Sequence, residues 1–158
     1  EFGGSQVATV GNIGLFPNLI NVIAAQARLT VDLRNTDGSR LQAAEARLVA
    51  FLDQLAREEG VSITSRSLAR FEPVVFDAGM VERIERVAGT LGFSQRRMTS
   101  GAGHDAQMLA RICPSAMVFV PSIKGISHNP AESTLPADLA AGANVLLHTL
   151  LELAEPEN

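Results

Sequence analysis

The sequence contains no tryptophan, no tyrosine and a single cysteine, and only 4% of its 158 residues are aromatic. One cysteine excludes an internal disulfide framework. Cys113 stands between Ile112 and Pro114, where a buried apolar thiol is expected. The sequence also lacks an apolar run long enough to cross a bilayer and an N-terminal signal-peptide pattern. We therefore expect a cytoplasmic protein without a membrane partner.

Strong positive charge is missing as well. The net charge is -4 and the basic residues are scattered, which argues against a nucleic-acid partner. The segment Gly101-Ala102-Gly103 has neither phosphate-loop nor dinucleotide-binding spacing, and no Gly-x-Ser-x-Gly elbow surrounds Ser100 or Ser122. Because these patterns are absent, we exclude a nucleotide-binding loop of either type and a serine hydrolase with such an elbow.

The sequence does have a hydrophobic fraction of 46%, enough for one ordinary domain or two small ones. The first half predicts strands over residues 7–13 and 27–34, a helix over 40–59 and a strand over 61–69. Asp37 or Ser39 is the candidate N-cap of that helix, and Gly60 ends it. This order gives most of a two-layer α+β sandwich. Its outer strand edge favours pairing with a second chain, so we expect a homodimer.

After residues 71–73 the pattern changes to alternating α/β. Helices are predicted over residues 77–92, 104–113 and 135–154, and a strand over residues 115–121. Pro136 falls in the first turn of the last helix, with Ser133 or Thr134 as its N-cap. Because one strand cannot form a sheet, this half is typical of the end of a larger α/β layer.

His128 is the leading candidate for chemistry. It lies in a loop rich in glycine, serine and proline (residues 125–132) that follows an apolar stretch, where α/β proteins present functional groups. Such a histidine is well placed to ligate a metal. The alternative is a solvated loop histidine hydrogen-bonded to Glu132. A metal site needs several ligands, and His104 and Asp105 are the only obvious companions in the chain.

His104 and Asp105 follow four small residues, 100–103. The glycines allow close approach by a ligand, and backbone N–H groups at a helix start favour a carboxylate. Local sequence alone favours another interpretation, a helix N-terminus whose dipole Asp105 stabilises. His148 lies in an apolar helical stretch and is interpreted as a helix-face residue without function.

Two polar residues of the first half are also candidates. Arg34 closes the polar face of the alternating strand beside Asp32. It either solubilises a sheet edge or holds a substrate carboxylate with its fork-shaped guanidinium. Asn21 either caps a turn or donates an amide hydrogen bond to a ligand.

Four segments, in this order, resemble the C-terminal half of the N-carbamoyl-L-amino acid hydrolases. They are Phe16-Pro17-Asn18-Leu19-Ile20-Asn21-Val22-Ile23, Leu29-Thr30-Val31-Asp32-Leu33-Arg34, Ser100-Gly101-Ala102-Gly103-His104-Asp105-Ala106 and Gly125-Ile126-Ser127-His128-Asn129-Pro130. The wider group includes β-ureidopropionase and allantoate amidohydrolase, within the aminoacylase-like di-metal peptidase superfamily. The resemblance extends from about Val7 to Leu153.

The resemblance implies a fold in two parts. Residues 1–72 are similar to part of a two-layer α+β lid, or dimerisation, domain, and residues 73–158 to the C-terminal part of an α/β catalytic domain with two divalent metal ions, zinc or manganese. It implies that His128 is a metal ligand and that Arg34 and Asn21 bind the substrate. It also implies that Gly101, Ala102 and His104 bind the substrate, and that Asp105 and Glu132 support the residues that contact the substrate or the metal.

The implied activity is hydrolysis of the ureido C–N bond of N-carbamoyl-L-amino acids. The family's other metal ligands and its glutamate general base belong to an N-terminal segment that this sequence does not contain. Glu1 in place of an initiator methionine is typical of an internal starting point, and a tag remnant on a complete domain is the alternative. We therefore expect that residues 1–158 alone neither hydrolyse substrate nor bind two metals tightly.

Three alternatives remain open. An allantoate amidohydrolase belongs to the same class, and the motifs do not separate its substrate from N-carbamoyl amino acids or β-ureidopropionate. A non-catalytic dimerisation module would keep the motifs as relics. A peptidase or deacylase of the superfamily is a weaker match, because Gly-Ala-Gly-His-Asp is more similar to the ureido group.

Overall fold

The computed structural model describes residues 5–155, so the outer ends of the two predicted domains, residues 1–4 and 156–158, lie outside the described part of the chain. The described residues separate into two compact units, divided between Pro73 and Val74. Within residues 5–155 there are two strands, four α-helices and one short 3-10 helix, so the chain has a mixed α/β structure.

The first unit begins with a β-hairpin of the two predicted strands, of which the first is three residues longer than predicted. β1 (Val7–Phe16) pairs antiparallel with β2 (Gln26–Arg34). The pairing runs from Val7 opposite Arg34 at one end to Phe16 opposite Gln26 at the other. The connecting loop, residues 17–24, is closed by the Ala25 N–H, which donates to the Phe16 carbonyl at 2.9 Å.

Both predicted ends of the long helix are confirmed. α1 (Gly38–Glu59) has Asp37 as its N-cap, and Asp37 Oδ1 accepts from the N–H groups of Ser39 at 2.8 Å and Arg40 at 3.1 Å. Gly60 ends the helix with φ 65°, a left-handed conformation that glycine adopts without steric cost.

A buried asparagine connects β2 to α1. Asn35 Oδ1 accepts from the Asp37 N–H at 3.0 Å, and Asn35 Nδ2 donates to Gln6 Oε1 at 3.0 Å. Because both ends of this amide are paired, its burial costs little. A few residues further along the chain, Leu41 and Ala44 of α1 are buried and provide the apolar core of this unit.

The strand predicted over residues 61–69 is not present. A strand must pair with a neighbour to complete its ladder of hydrogen bonds, and residues 61–69 pair with neither outer edge of the hairpin, since the sheet of this unit consists of β1 and β2 alone among the described residues. The Val61 N–H instead donates to the Ala56 carbonyl at 3.1 Å, as the chain leaves α1.

The second unit contains the helices α2, α3 and α4. α2 (Ala78–Thr90) is capped by Asp77, whose carboxylate accepts from the Met80 N–H at 2.8 Å. α3 (Ala106–Leu109) is a single turn, shorter than the predicted helix over 104–113. α4 (Pro136–Ala154) starts one residue after the predicted start and has Pro136 in its first turn, as predicted.

α2 and α4 pack against each other. Their buried contacts come from Val87, Ala88 and Val145, and the carboxylate of Glu152 on α4 accepts from Arg86 on α2 at 2.9 Å. The strand predicted over residues 115–121 is not formed either, because no strand of this unit lies beside that segment in the described residues. It nevertheless contributes to the core, since Val118 packs against the buried cluster.

Two local predictions in this unit are wrong. The N-cap of α4 is Leu135, without a side-chain cap, rather than Ser133 or Thr134, because the helix begins at Pro136 and the residue immediately before it takes the cap position. Cys113 is exposed rather than buried, since it follows the end of the short α3 and lies outside the core of the unit. None of the helices between residues 5 and 155 combines the length and apolar character that a bilayer crossing requires.

Candidate functional site

His128 lies in a loop whose ends are tied together. Besides the bond between Ile123 and Ser133, the Ser122 hydroxyl donates to the Ile126 carbonyl. Within this closed loop His128 adopts φ 56°, a left-handed conformation that is uncommon for a residue with a side chain. The histidine is therefore held by a defined loop and is exposed to solvent.

Two side chains contact His128. Its Nδ1 lies 2.9 Å from Ser127 Oγ, and its backbone N–H donates to Glu132 Oε2 at 2.7 Å. The expected hydrogen bond to Glu132 thus exists, but it involves the backbone of the histidine rather than its ring. When Nδ1–H donates to the Ser127 hydroxyl, the ring lone pair lies on Nε2, which is the form that ligates a metal.

A tight turn returns Glu132 to His128. The Asn129 carbonyl accepts from the Glu132 N–H at 2.9 Å, and Asn129 Oδ1 accepts from the Ala131 N–H at 2.9 Å. Asparagine side chains commonly stabilise turns by such a bond to a backbone group two residues on. The turn places the Glu132 carboxylate beside the N–H of His128.

The ring of His104 is hydrogen-bonded to the backbone. Its Nδ1 accepts a hydrogen bond from the Ala106 N–H at 3.1 Å at the start of α3. Because a backbone N–H can only donate, Nδ1 carries the lone pair and the neutral ring carries its proton on Nε2. His104, and not Asp105, therefore supplies the side-chain cap, since Asp105 makes no cap bond to α3.

The backbone next to His104 is open. A Cβ added at Gly101 or at Gly103 would meet nothing within 4 Å, as the predicted close approach by a ligand requires. The Ser100 hydroxyl donates to the Ala102 carbonyl at 3.2 Å and so holds the segment together.

No complete metal site is present among the described residues. Between residues 5 and 155, no group of three or more His, Cys, Asp or Glu side chains is placed to hold an ion, so His104 and Asp105 do not form such a group with His128. The donor chemistry of His128 nevertheless fits a metal ligand, because its Nδ1 has a hydroxyl partner while its Nε2 lone pair can point to an ion.

Arg34 is paired with Asp32 on the polar face of β2. Asp32 Oδ2 accepts from Arg34 Nε at 2.8 Å and from Nη2 at 2.5 Å. This hydrogen bonding, with the negative charge of Asp32, raises the pKa of Arg34 above its usual value. Both side chains are about half exposed, so the guanidinium is oriented and still accessible to a ligand.

Asn21 and Arg34 are not brought together within one chain. Arg34 pairs with Val7 at one end of the hairpin, whereas Asn21 lies in the 17–24 loop at the other end. Gln26 and Arg34 are eight positions apart on β2 and so lie roughly 26 Å from each other at the usual rise of a strand. Ile20 and Ile23 are almost fully exposed, at 108% and 95%, so the loop does not fold back along the strands.

Two residues of the site were not singled out by the sequence. Ser127 contacts the His128 ring and Asp32 orients Arg34. The i, i+2 spacing of Asp32 and Arg34 on one strand face was a usable signal for their contact. Adjacent residues such as Ser127 and His128 point in directions that depend on the loop, so their contact had no such signal.

Comparisons with known proteins agree on one group. Residues 4–152 match the family model described as Peptidase family M20/M25/M40. An N-carbamoyl-L-amino-acid amidohydrolase of Rhizobium meliloti is 38% identical over 94% of this chain and 36% of its own length. An allantoate amidohydrolase of Escherichia coli is 36% identical over 98% of this chain and 38% of its own length.

A solved structure is similar over the same range. The crystal structure of an amidase of the hydantoinase/carbamoylase family from Burkholderia vietnamiensis matches with a TM-score of 0.90 and 41% identity, covering 98% of this chain and 38% of that one. The chain thus spans little more than a third of the length of these relatives.

Proposed function

The chain belongs to the peptidase family M20/M25/M40, and on that premise we propose that it is part of a metal-dependent amidohydrolase acting on N-carbamoyl-L-amino acids. Hydrolysis of the ureido group consumes water and releases ammonia, carbon dioxide and the amino acid. The first unit then corresponds to part of a lid domain and the second to the C-terminal part of the catalytic domain. Allantoate is the second candidate substrate, because the relative named for it is almost as similar, at 36% identity against 38%.

The observation that carries the proposal is that both exposed histidines engage Nδ1 in a hydrogen bond, His128 with the Ser127 hydroxyl and His104 with the Ala106 N–H. His128, with Nδ1 against Ser127 Oγ, is suited to bind a metal through Nε2. His104, with Nδ1 accepting from Ala106, is suited to donate a hydrogen bond from Nε2–H to a polar substrate atom such as the ureido oxygen. One histidine is therefore proposed as a ligand and the other as a donor.

A divalent ion, zinc or manganese, would supply Lewis-acid polarisation of the ureido carbonyl and a water of lowered pKa. Of the described residues, His128 is the one proposed to ligate it. We expect the remaining ligands and the general base in the part of the relatives' length that this chain does not cover.

Arg34 is proposed to bind the substrate carboxylate. A guanidinium binds a carboxylate through two parallel hydrogen bonds, and Asp32 holds that of Arg34 in one orientation. Gly101 and Ala102 are proposed to line the ureido end of the substrate, with Asp105 and Glu132 supporting the two histidines.

The hairpin geometry supports a homodimer in which two chains complete one substrate site. Because Asn21 and Arg34 lie at opposite ends of the hairpin, they cannot contact one small carboxylate from the same chain. If both bind substrate, Arg34 comes from one copy and Asn21 from the second. The exposed apolar residues of the loop that carries Asn21, including Ile20 and Ile23, favour its burial against a partner.

Ammonia release by the complete gene product tests the proposal. The protein is incubated with a panel of N-carbamoyl-L-amino acids, β-ureidopropionate and allantoate, with and without a chelator. Chelator-sensitive release is expected, and the preferred compound identifies the substrate. Absence of release from every compound by metal-replete protein would contradict the proposal and favour a peptidase or deacylase of the family, or a non-catalytic dimerisation module.

A further inference from the structure

The conformation of His128 has a cost that the surrounding loop must offset. Among the described residues, only Lys124 and His128 are non-glycine residues with positive φ, at 60° and 56°. Such a conformation persists only where neighbouring groups over-determine it, and it occurs preferentially at functional sites. The groups that fix His128 therefore indicate what its conformation is for.

Glu132 holds the backbone. The hydrogen bond from the His128 N–H to Glu132 Oε2, at 2.7 Å, has an ionised acceptor and is stronger than a neutral one. The Asn129 turn sets the position of Glu132, since the Glu132 N–H donates to the Asn129 carbonyl at 2.9 Å. The carboxylate is therefore used to fix the direction in which the His128 side chain leaves the loop.

Ser127 holds the ring. Its Oγ lies 2.9 Å from His128 Nδ1, and the hydroxyl can accept a hydrogen bond from Nδ1–H. With Nδ1 protonated, Nε2 has the lone pair and faces away from the serine. Partners of this kind fix the tautomer and orientation of histidines that bind metals, and their loss lowers metal affinity roughly 10- to 100-fold.

From these contacts we infer that Ser127 and Glu132 are positioning residues that present Nε2 of His128 to a divalent ion, Ser127 through the ring tautomer and Glu132 through the backbone. This inference rests on the proposed function, in which His128 is a metal ligand. Neither residue contacts substrate in this account, so both act on the reaction only through His128.

The test measures metal affinity rather than turnover. The complete gene product and its variants are stripped of metal, and Zn²⁺ is titrated in competition with a chromophoric chelator. Ser127→Ala and Glu132→Ala are each expected to weaken Zn²⁺ binding at the site that contains His128 by about tenfold or more. Ser127→Thr keeps the hydroxyl and Glu132→Gln keeps an acceptor oxygen, so both are expected to retain affinity better than the alanine variants.

Ser94→Ala is the matched control, because Ser94 is an exposed loop serine of the same unit. The melting temperature of each metal-free variant separates positioning from structure. Weaker Zn²⁺ binding at an unchanged metal-free melting temperature supports the inference. Unchanged binding in both alanine variants, or weaker binding that accompanies a lower metal-free melting temperature and is not restored by Ser127→Thr, would overturn it.

His128→Ala distinguishes this inference from the proposed function. If His128→Ala leaves Zn²⁺ affinity unchanged, the assignment of His128 as a ligand fails, and the positioning roles fail with it. If His128→Ala loses Zn²⁺ while Ser127→Ala and Glu132→Ala keep it, the proposed function stands and only the positioning roles are wrong.

Discussion

Asp32 accepts two hydrogen bonds from Arg34 through one oxygen, from Nε at 2.8 Å and from Nη2 at 2.5 Å. The two residues are two positions apart on β2, so their side chains leave the same face of the strand. The contact orients the guanidinium of Arg34, the group proposed to bind the substrate carboxylate.

Asp32→Ala is expected to raise KM about tenfold with little change in kcat, the effect of losing one charge-assisted hydrogen bond that orients Arg34. Asp32→Asn keeps an acceptor and is expected to fall between the alanine variant and the wild type. Steady-state kinetics of the complete gene product measure both values. Arg28→Ala removes another arginine from the same strand and serves as the control; an equal rise in KM for that variant would contradict a specific role of Asp32.

Asn21→Ala and Arg34→Ala variants are expected to complement each other when two copies form one substrate site. Each variant alone loses substrate binding in both sites of its homodimer. After the two are unfolded and refolded together, activity is expected to return to roughly a quarter of the wild-type level, because half of the dimers are mixed and each mixed dimer has one intact site. Activity of the mixture that stays at the level of the separate variants would show that both residues serve the same chain's site or none.

His104→Asn is expected to lower kcat/KM on the order of 100-fold, the usual effect of removing a hydrogen-bond donor to a reacting group, and to leave the metal content unchanged. The reason is that Nδ1 of His104 is occupied as the acceptor for the Ala106 N–H, so its Nε2 carries a proton. Asparagine can still accept from that N–H, but it has no donor at the position of Nε2. Metal analysis of the purified protein beside His128→Asn, which is expected to lose metal, provides the comparison. Metal loss in His104→Asn would contradict the donor role.

Gly142→Ala is expected to destabilise the protein by about 1–3 kcal/mol, as overpacking does in a close contact. A Cβ at Gly142 of α4 would collide with Cγ1 of Val120, whose segment lies against the helix. Gly89→Ala in α2 is the matched control, since a Cβ there meets nothing within 4 Å and alanine favours a helix by about 1 kcal/mol. Urea unfolding of the two variants should therefore change in opposite directions, and equal effects would contradict the close packing.

Asp37→Ala is expected to speed hydrogen exchange at the Ser39 and Arg40 amides roughly fivefold at neutral pH, because Asp37 caps α1. The Ser39 hydroxyl and the Arg40 N–H lower the pKa of Asp37 below its ordinary value. The stabilisation by the cap is thus complete above the unfolded pKa and is lost as the pH falls through the folded pKa. The difference in exchange rate between the wild type and Asp37→Ala should disappear in acid. Asp37→Asn has a neutral cap, so it should still protect the two amides at acid pH.

Much of the first unit could be predicted because its signals are local. The alternation of residues 27–34 and the capping of α1 by Asp37 and Gly60 depend on neighbours a few positions away. The predicted strands over 61–69 and 115–121 failed for the opposite reason, since a strand exists only where a second strand supplies its hydrogen bonds. The residue pattern of a segment indicates that it can form a strand, but it does not indicate whether a second strand lies beside it.

The sequence by itself determined the hairpin, the three longer helices and the four motifs that identify the family, because side-chain periodicity and residue identity are properties of the chain. Only the tertiary structure decided how each site residue is used. It gave Nδ1 of His104 a backbone N–H as donor and Nδ1 of His128 a hydroxyl as partner, and it placed Asn21 and Arg34 at opposite ends of one hairpin. Tautomers and separations depend on the direction of each group in space, which strand register and loop closure fix and residue order does not.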